Sequence, residues 1–294
     1  MNTTAQPFPD ENNTAAVLVS FHPATTLQEH VPLILKQIRH LYIVDNASND
    51  ETRAWLRQLV GTHPDLTLIE NHENKGIAAA LNQGVLQASL DGYQWVLCLD
   101  QDSLITPDWL STMQQIVDEF PKAQSIGLIG SNFTHPDGRW AYPLRADDPC
   151  YRQVLTVITS GTLLPLTTWQ KAGPFDERYF IDLVDHEYCL RLKLLGFERL
   201  VSTQPILDHQ LGNETPVHIL GMTFRPSNHN ATRRYYIARN RVRLTRTYWR
   251  TFPRFVLGQW WGQFRETLGF LLIERNKLQK LMAVLRGLCA KSQW

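Results

Sequence analysis

Two carboxylates two positions apart, Asp100 and Asp102, close the apolar run Trp95-Val96-Leu97-Cys98-Leu99. Such a run reads as a buried strand, and the carboxyl end of a strand is where an open α/β sheet presents ligand-binding groups. Crowded carboxylates repel each other unless a cation or a donor network relieves them, and a hard divalent ion with oxygen ligands does so well. The natural cargo of that arrangement is a diphosphate; a turn with two solvated acids is the plainer alternative. A second acidic group, Asp182, Asp185 and Glu187, lies within six positions, just ahead of a helix expected over 188–195. The positive end of a helix favours acids there. A carboxylate so placed can take a proton from a hydroxyl, or it can cap the helix.

The elements that must position these acids follow from hydrophobic spacing. Apolar runs at 15–21, 41–44, 66–70 and 95–100 read as strands, and segments 26–39, 51–60 and 77–89 carry helical spacing between them. Ser48 or Asn49 can cap the second helix, and the small Ala and Gly residues of the third permit close packing. Further on, 126–131 reads as a strand, 135–148 as a polar loop or hairpin, and 154–159 as a strand whose end carries Ser160, Gly161 and Thr162. A helix from 166 or 167 to 172 stops at Gly173-Pro174. Strands alternating with helices through short loops predict an α/β fold with a mostly parallel sheet, wound right-handedly, whose binding groups gather at one edge.

Composition sets the bounds. The 294 residues suffice for one large α/β domain and a smaller appendage. A net charge of +1 hides a division: positions 225–294 hold 15 Lys or Arg against two acids, Glu266 and Glu274, while positions 1–224 hold 14 against 26 acids. The two parts therefore carry formal charges of +13 and −12. Such a tail is expected to meet something anionic, a phospholipid surface or nucleic acid, unless it docks on the acidic body. Charges interrupt its apolar stretch at 252–273 too often for a spanning helix. It reads instead as amphipathic helices that pack on the sheet, lie at a membrane surface or pair with another subunit. Cys98, Cys150, Cys189 and Cys289 show no paired spacing and read as thiols in a reducing compartment. The polar stretch 1–14 lacks the regions of a secretory signal, so a flexible lead and a cytoplasmic protein are expected.

Together the segments VSFHP (19–23), IVDNASND (43–50), ENKGIAAALNQG (73–84), LDQDS (99–103), SGTLL (160–164), FIDLVDHEYCLRLKLLGF (180–197) and DHQLG (208–212) resemble a family 2 inverting glycosyltransferase. That family has the nucleotide-diphospho-sugar-binding fold called GT-A. The FHP opening, the GIAAALN helix, the DxVDxE element and RRYYIARN (233–240) look most like bacterial rhamnosyltransferases.

The resemblance implies a GT-A catalytic domain over 15–224 and a basic amphipathic helical extension over 225–294. It implies transfer of L-rhamnose from dTDP-β-L-rhamnose to a hydroxyl of a growing cell-surface glycan, with an α-linked product. Asp45 would meet the pyrimidine or its ribose, Lys75 and Gly76 would approach the nucleoside, and Asp100 would face the ribose or a metal-bound water. Asp102 would bind Mg²⁺ or Mn²⁺ directly, with His209 as a further ligand. His22, at the end of the first strand, is assigned to donor contact, and Arg239 to closure over the diphosphate or an anionic acceptor. Gly161, Thr162, Asp182 and Glu187 are placed near the sugar or the acceptor. Asp185 is assigned as the base, and Asp182 and Glu187 stay open as alternatives, because family members commonly show Glu-Asp where this chain has Val184-Asp185. The implied partners are the donor, a glycan acceptor that is lipid-linked or free, the cytoplasmic face of the inner membrane, and a second copy of the chain. A UDP-sugar donor is the competing enzyme reading, since uracil and thymine share one imide edge. From another class, an arginine-rich tail also fits a nucleic-acid-binding protein, which leaves the FIDLVDHEY element without a task.

Overall fold

The computed structural model describes residues 7–24, 27–135, 137–143, 145, 148–209, 217–219, 222–224 and 227–290. The chain divides into two compact units, Met1–Arg178 with Val184–Gln210, and Tyr179–Leu183 with Leu211–Trp294.

The first unit opens as its apolar spacing predicts. Strand β1 (Thr14–Ser20), helix α1 (Leu27–Leu35), β2 (His40–Asp45), α2 (Asp50–Gly61), β3 (Leu66–Glu70), α3 (Ile77–Leu90) and β4 (Trp95–Asp100) alternate without interruption. Helix α2 starts where Asn49 Oδ1 accepts the backbone N–H of Thr52, satisfying one of the donors a helix start leaves over. Helix α3 lies close on the sheet because Gly84 lacks a Cβ; one added there would stand 2.4 Å from Cγ1 of Val17. Beyond β4 come β5 (Ser103–Ile105), α4 (Trp109–Glu119), β6 (Ile126–Phe133), β7 (Tyr151–Gln153), β8 (Thr162–Pro165), α5 (Leu166–Ala172), α6 (Val184–Leu194) and β9 (Glu198–His209).

All nine strands join one sheet in the order β3-β2-β1-β4-β8-β6-β9-β5, with β7 also paired to β9. Strands β3, β2, β1 and β4 are mutually parallel, and β6 pairs in parallel with β9. Strands β8, β5 and β7 run against their neighbours, so the sheet is mixed. Every residue of β1 is buried, as expected of a central strand covered on both faces. Trp95 and Trp109 are fully enclosed. Replacing either by Ala would cost about 3–5 kcal/mol, the usual range for a core Trp.

Two expectations are corrected. Segment 154–159 is not a strand; strands form on either side of it, at β7 and β8. The reason is Arg199, almost wholly buried, whose guanidinium donates to the carbonyls of Val154, Leu155 and Phe197 and so satisfies this backbone without a neighbouring strand. The helix expected over 188–195 begins earlier, at Val184, so Asp185 and Glu187 lie within its first turn. At the start of the polar stretch 135–148 an antiparallel bridge joins Thr134 to Trp140. Position 26, expected to open the first helix, lies outside the described residues.

In the second unit, the two-stranded ribbon of β10 (Val217–Ile219) and β11 (Met222–Phe224) precedes α7 (Ala231–Tyr248), α8 (Pro253–Ile273) and α9 (Lys277–Leu288). Gly287 lets α9 cross close to α7, since a Cβ there would stand 2.4 Å from the carbonyl oxygen of Tyr235. The arginines of α7 do not all face water. Arg234 is 2% exposed and is bound by Glu274, which Lys280 also meets; Arg241 pairs with Glu266. No helix among the described residues is long and apolar enough to cross a membrane.

Candidate active site

Strand register lines up the candidate groups along the carboxyl edge of the parallel strands. Ser20 pairs with Asp45, Asp45 with Glu70, and Val19 with Asp100. Asp45 has no exposed surface. Its Oδ2 accepts the N–H of Ser48 at 3.0 Å, and its Oδ1 accepts the hydroxyls of Ser48 at 2.5 Å and Ser20 at 3.3 Å. These bonds brace the β2–α2 turn, and the Ser48 Oγ in turn accepts the N–H of His22 at 2.8 Å. His22 is exposed, with φ +49°, and its ring meets Phe21 edge-on.

Beside Asp45, the side chain of Asn46 joins this turn to the loop after β3. Its Nδ2 donates to Asn74 Oδ1 at 3.0 Å and to the carbonyl of Gly76 at 3.1 Å, while its Oδ1 accepts the N–H of Lys75 at 2.9 Å. Gly76 takes φ +85° directly before α3, a conformation that disfavours any side chain, and the Lys75 side chain is exposed. Asn71 extends the amide network through a reciprocal pair with Gln83. Sequence reasoning passed over Asn46 and Asn71, although polar amides next to strand ends are a signal of loop bracing.

At the end of β4 the turn is fixed from both sides. The backbone N–H of Asp100 donates to Ser160 Oγ at 3.0 Å, and Gln101 Oε1 accepts the N–H of Phe21 at 2.7 Å. Asp100 is half-buried and Asp102 exposed. Strand β5 then pairs with β9 so that Ser103 stands opposite His209, which brings the backbone of His209 beside the Asp102 turn. Among the described residues no three His, Cys, Asp or Glu side chains cluster as a metal site. A cation carried on a diphosphate needs only one or two protein carboxylates, the phosphates supplying further oxygens, and the exposed Asp102 carboxylate fits that demand.

Gly161 and Thr162 are buried. Gly161 holds φ +75°, and a Cβ there would come within 2.9 Å of Ser131 and Leu207. Its carbonyl accepts from Ser131 Oγ at 2.6 Å, and Ser131 Oγ accepts the indole N–H of Trp109 at 2.8 Å, so the core of the sheet fixes this turn. The Thr162 hydroxyl donates to the carbonyl of Ile158 at 2.7 Å.

Asp185, with a side chain 19% exposed, lines a small cavity together with Thr159, Thr162, Tyr188 and Cys189. Burial by itself would push its carboxyl up. The His186 ring and N–H, at 2.8 and 2.7 Å from Oδ1, outweigh that and hold the carboxyl below its usual range. His186 is the partner that sequence reasoning missed. Glu187 is nearly buried and is held by Arg191 one helical turn on, with 3.1 and 2.9 Å contacts. Cys98 and Cys189 are buried thiols pushed up to about 12, chiefly by desolvation.

Asp182 and Arg239 belong to the second unit. The Asp182 carboxylate is gripped by Arg233, and the Arg239 guanidinium lies 4.6 Å from the ring centre of Tyr236 and donates to Asn240 Oδ1.

Over 253 residues, 80% of each chain, the protein is 28% identical to the dTDP-rhamnosyl transferase RfbF of Shigella flexneri. It is 28% identical over 119 residues to the poly-beta-1,6-N-acetyl-D-glucosamine synthase of Staphylococcus epidermidis, a match that spans 40% of this chain and 27% of that one. Among solved structures, the mannosyltransferase PcManGT of Pyrobaculum calidifontis, in complex with GDP-Man and Mn²⁺, superposes with a TM-score of 0.61 at 15% identity, covering 99% of this chain and 80% of that chain. GalNAc-T7 with UDP, GalNAc and Mn²⁺ gives 0.60 at 13% identity, covering 82% of this chain and about half (49%) of that one. These structural likenesses establish a shared GT-A fold. The sequence pattern of glycosyl transferase family 2 matches residues 16–170. The chain belongs to glycosyl transferase family 2, and it is a glycosyltransferase of the GT-A fold.

Proposed function

We propose that the protein is a hexosyltransferase that moves L-rhamnose, with inversion, from dTDP-L-rhamnose to a hydroxyl of a bacterial cell-surface glycan such as a lipopolysaccharide core or O-antigen. The observation that carries this reading is the likeness to the Shigella flexneri dTDP-rhamnosyl transferase over 80% of both chains. The acceptor hydroxyl gives its proton to Asp185 as its oxygen bonds to the anomeric carbon. The bond from that carbon to the diphosphate breaks on the opposite face, and its electron pair leaves with dTDP. The β-linked donor thus gives an α-linked product.

Asp102 and His209 would hold Mg²⁺ or Mn²⁺, which neutralises charge on the departing diphosphate. His22, Asp45, Lys75, Gly76, Asp100 and Arg239 serve the donor in this reading, and Gly161, Thr162, Asp182 and Glu187 border the sugar and acceptor. The surface of the inner membrane, facing the cytoplasm, is the proposed location, with a lipid-linked acceptor fitting it best. Support for that location comes from exposed apolar side chains on α8 and α9 among the basic residues of the tail.

Mass spectrometry of products formed from a mixed nucleotide-sugar pool tests the reading. Rhamnosyl addition with dTDP release is expected. Transfer from a UDP-sugar in preference would overturn the donor, and retention of a nucleic acid through the basic tail without any transfer would overturn the function.

A further inference from the structure

Helix α7 presents Arg233, Tyr236 and Asn240 at i, i+3 and i+7, along one face. All three engage the same short segment, Tyr179–Leu183. Arg233 grips Asp182 with two parallel bonds, Nε to Oδ2 at 3.0 Å and Nη2 to Oδ1 at 2.9 Å. Tyr236 stacks on Phe180 with ring centres 4.5 Å apart and planes 18° from parallel. Asn240, without exposed surface, spreads its Nδ2 over the carbonyls of Tyr179, Ile181 and Asp182 at 2.7, 2.8 and 3.0 Å. Its own Oδ1 accepts from Arg239, so the amide cannot flip without losing both sets of contacts.

The segment these residues hold is strained. Phe180, Asp182 and Leu183 have φ of +41°, +64° and +63°, a region that side chains larger than glycine rarely adopt. Such a backbone persists only where its surroundings over-determine it, and here α7 supplies the contacts. The next residues are Val184 and Asp185, the first turn of α6. Asp185 thus follows by two residues on a backbone that would relax if α7 released it.

We propose that Arg233, Tyr236 and Asn240 are positioning residues for glycosyl transfer, holding the strained 179–183 segment so that Asp185 meets the acceptor hydroxyl. The inference rests on Asp185 as the proton acceptor. Asn240 is the centre of the device because an amide donates to carbonyls, whereas an acid or an aliphatic chain of that size cannot. Arg233 adds a planar fork that fixes the angle of Asp182, which a lysine does not reproduce.

The test is a double-mutant cycle on the full chain, with dTDP release from dTDP-L-rhamnose as the rate and calorimetric titration with dTDP as the donor affinity. Asn240→Ala should lower kcat by up to about 10²-fold, the scale of a misplaced reacting group; because Asn240 also holds Arg239, the dTDP affinity is read on Arg233→Lys, where it should be unchanged. Arg233→Lys should show a smaller loss of the same kind, and it keeps the inference testable if Asn240→Ala fails to fold. In the Asp185→Asn background, neither change should cost anything further, because the group they position is gone. Losses that multiply with that of Asp185→Asn, or that appear in the dTDP affinity of Arg233→Lys instead, would overturn the positioning role. Near-normal turnover in Asp185→Asn would instead overturn the choice of base.

Discussion

The charge on Asp185 is decided by its neighbour. Both His186 contacts fall on Oδ1, so proton uptake by Oδ2 would leave them in place. A carboxyl held below its usual range is anionic at neutral pH, so with Asp185 in the proposed role of base, transfer should fall as pH drops through that lowered value. Asp185→Asn should cut turnover by about 10²-fold or more with donor affinity little changed, because proton transfer happens only in the transition state. Replacing His186 by Asn should move the acid limb of the kcat/KM profile to higher pH, since the ring contact and its charge are lost while the backbone N–H stays. Glu187→Gln should act differently. It breaks a nearly buried pair with Arg191 and should lower unfolding free energy by on the order of 1–3 kcal/mol while turnover per folded molecule persists. Turnover lost in Glu187→Gln but kept in Asp185→Asn would reassign the base. For Asp102, exposed at the end of β4, EDTA should suppress transfer, Mg²⁺ or Mn²⁺ should restore it, and Asp102→Ala should lose metal-assisted donor binding. Full activity in chelator would remove the metal from the mechanism.

Among the elements, the turn between segment 154–159 and β8 links core to site. Trp109 on α4, Ser131 on β6 and Gly161 form one hydrogen-bonded chain, so packing in the middle of the sheet sets the edge that faces Asp100 through Ser160. Gly161→Ala would meet two penalties, a φ of +75° and a Cβ 2.9 Å from Ser131 and Leu207. The expected loss is roughly 1–3 kcal/mol in denaturant unfolding. Gly138→Ala, where φ is +80° but a Cβ would meet nothing within 4 Å, should pay the backbone cost alone and serves as the comparison. Equal losses at both positions would mean that the Ser131–Gly161 contact contributes nothing.

For the molecule as a whole, the consequential feature is how the tail spends its charge. Its two acids are consumed internally, Glu274 between Arg234 and Lys280 and Glu266 on Arg241. Helix α8 meanwhile exposes Leu257, Trp261, Phe264 and Leu272 at spacings of four, three and eight residues, one helical face, with Trp261 and Phe264 stacked. Aromatic and aliphatic side chains on a chain segment rich in Lys and Arg suit the boundary of an anionic bilayer. The protein should co-sediment with phosphatidylglycerol vesicles at low salt and release as salt rises, because exposed charges are screened beyond about 8 Å at physiological ionic strength. Trp261→Ala should weaken that binding about tenfold, from the loss of one large buried ring. Equal binding to neutral phosphatidylcholine vesicles, or none to either, would refute the anionic surface.

Much of this was determined by sequence alone. Strands β1 to β4 and the helices between them follow from apolar runs broken by turn residues, and register then needs only the parallel winding that α/β chains adopt. The acids at 100, 102 and 185 could be picked out as candidates because the apolar run before Asp100 and the helical spacing after Asp185 place them at a strand end and a helix start. Tertiary structure decided the rest. Strand β9 carries Arg199, Ser202, Thr203, Gln204 and Pro205 among its apolar residues, a pattern that states no strand until β6, β5 and β7 supply partners from distant parts of the chain. Segment 154–159 has the composition of a strand, yet the Arg199 side chain takes the carbonyls at 154 and 155 that a neighbour would have used. The grip of α7 on 179–183 joins residues about sixty positions apart. Local propensity cannot encode such a pairing, because the strain at Phe180, Asp182 and Leu183 is tolerable only after the folded chain has brought Asn240 to their carbonyls.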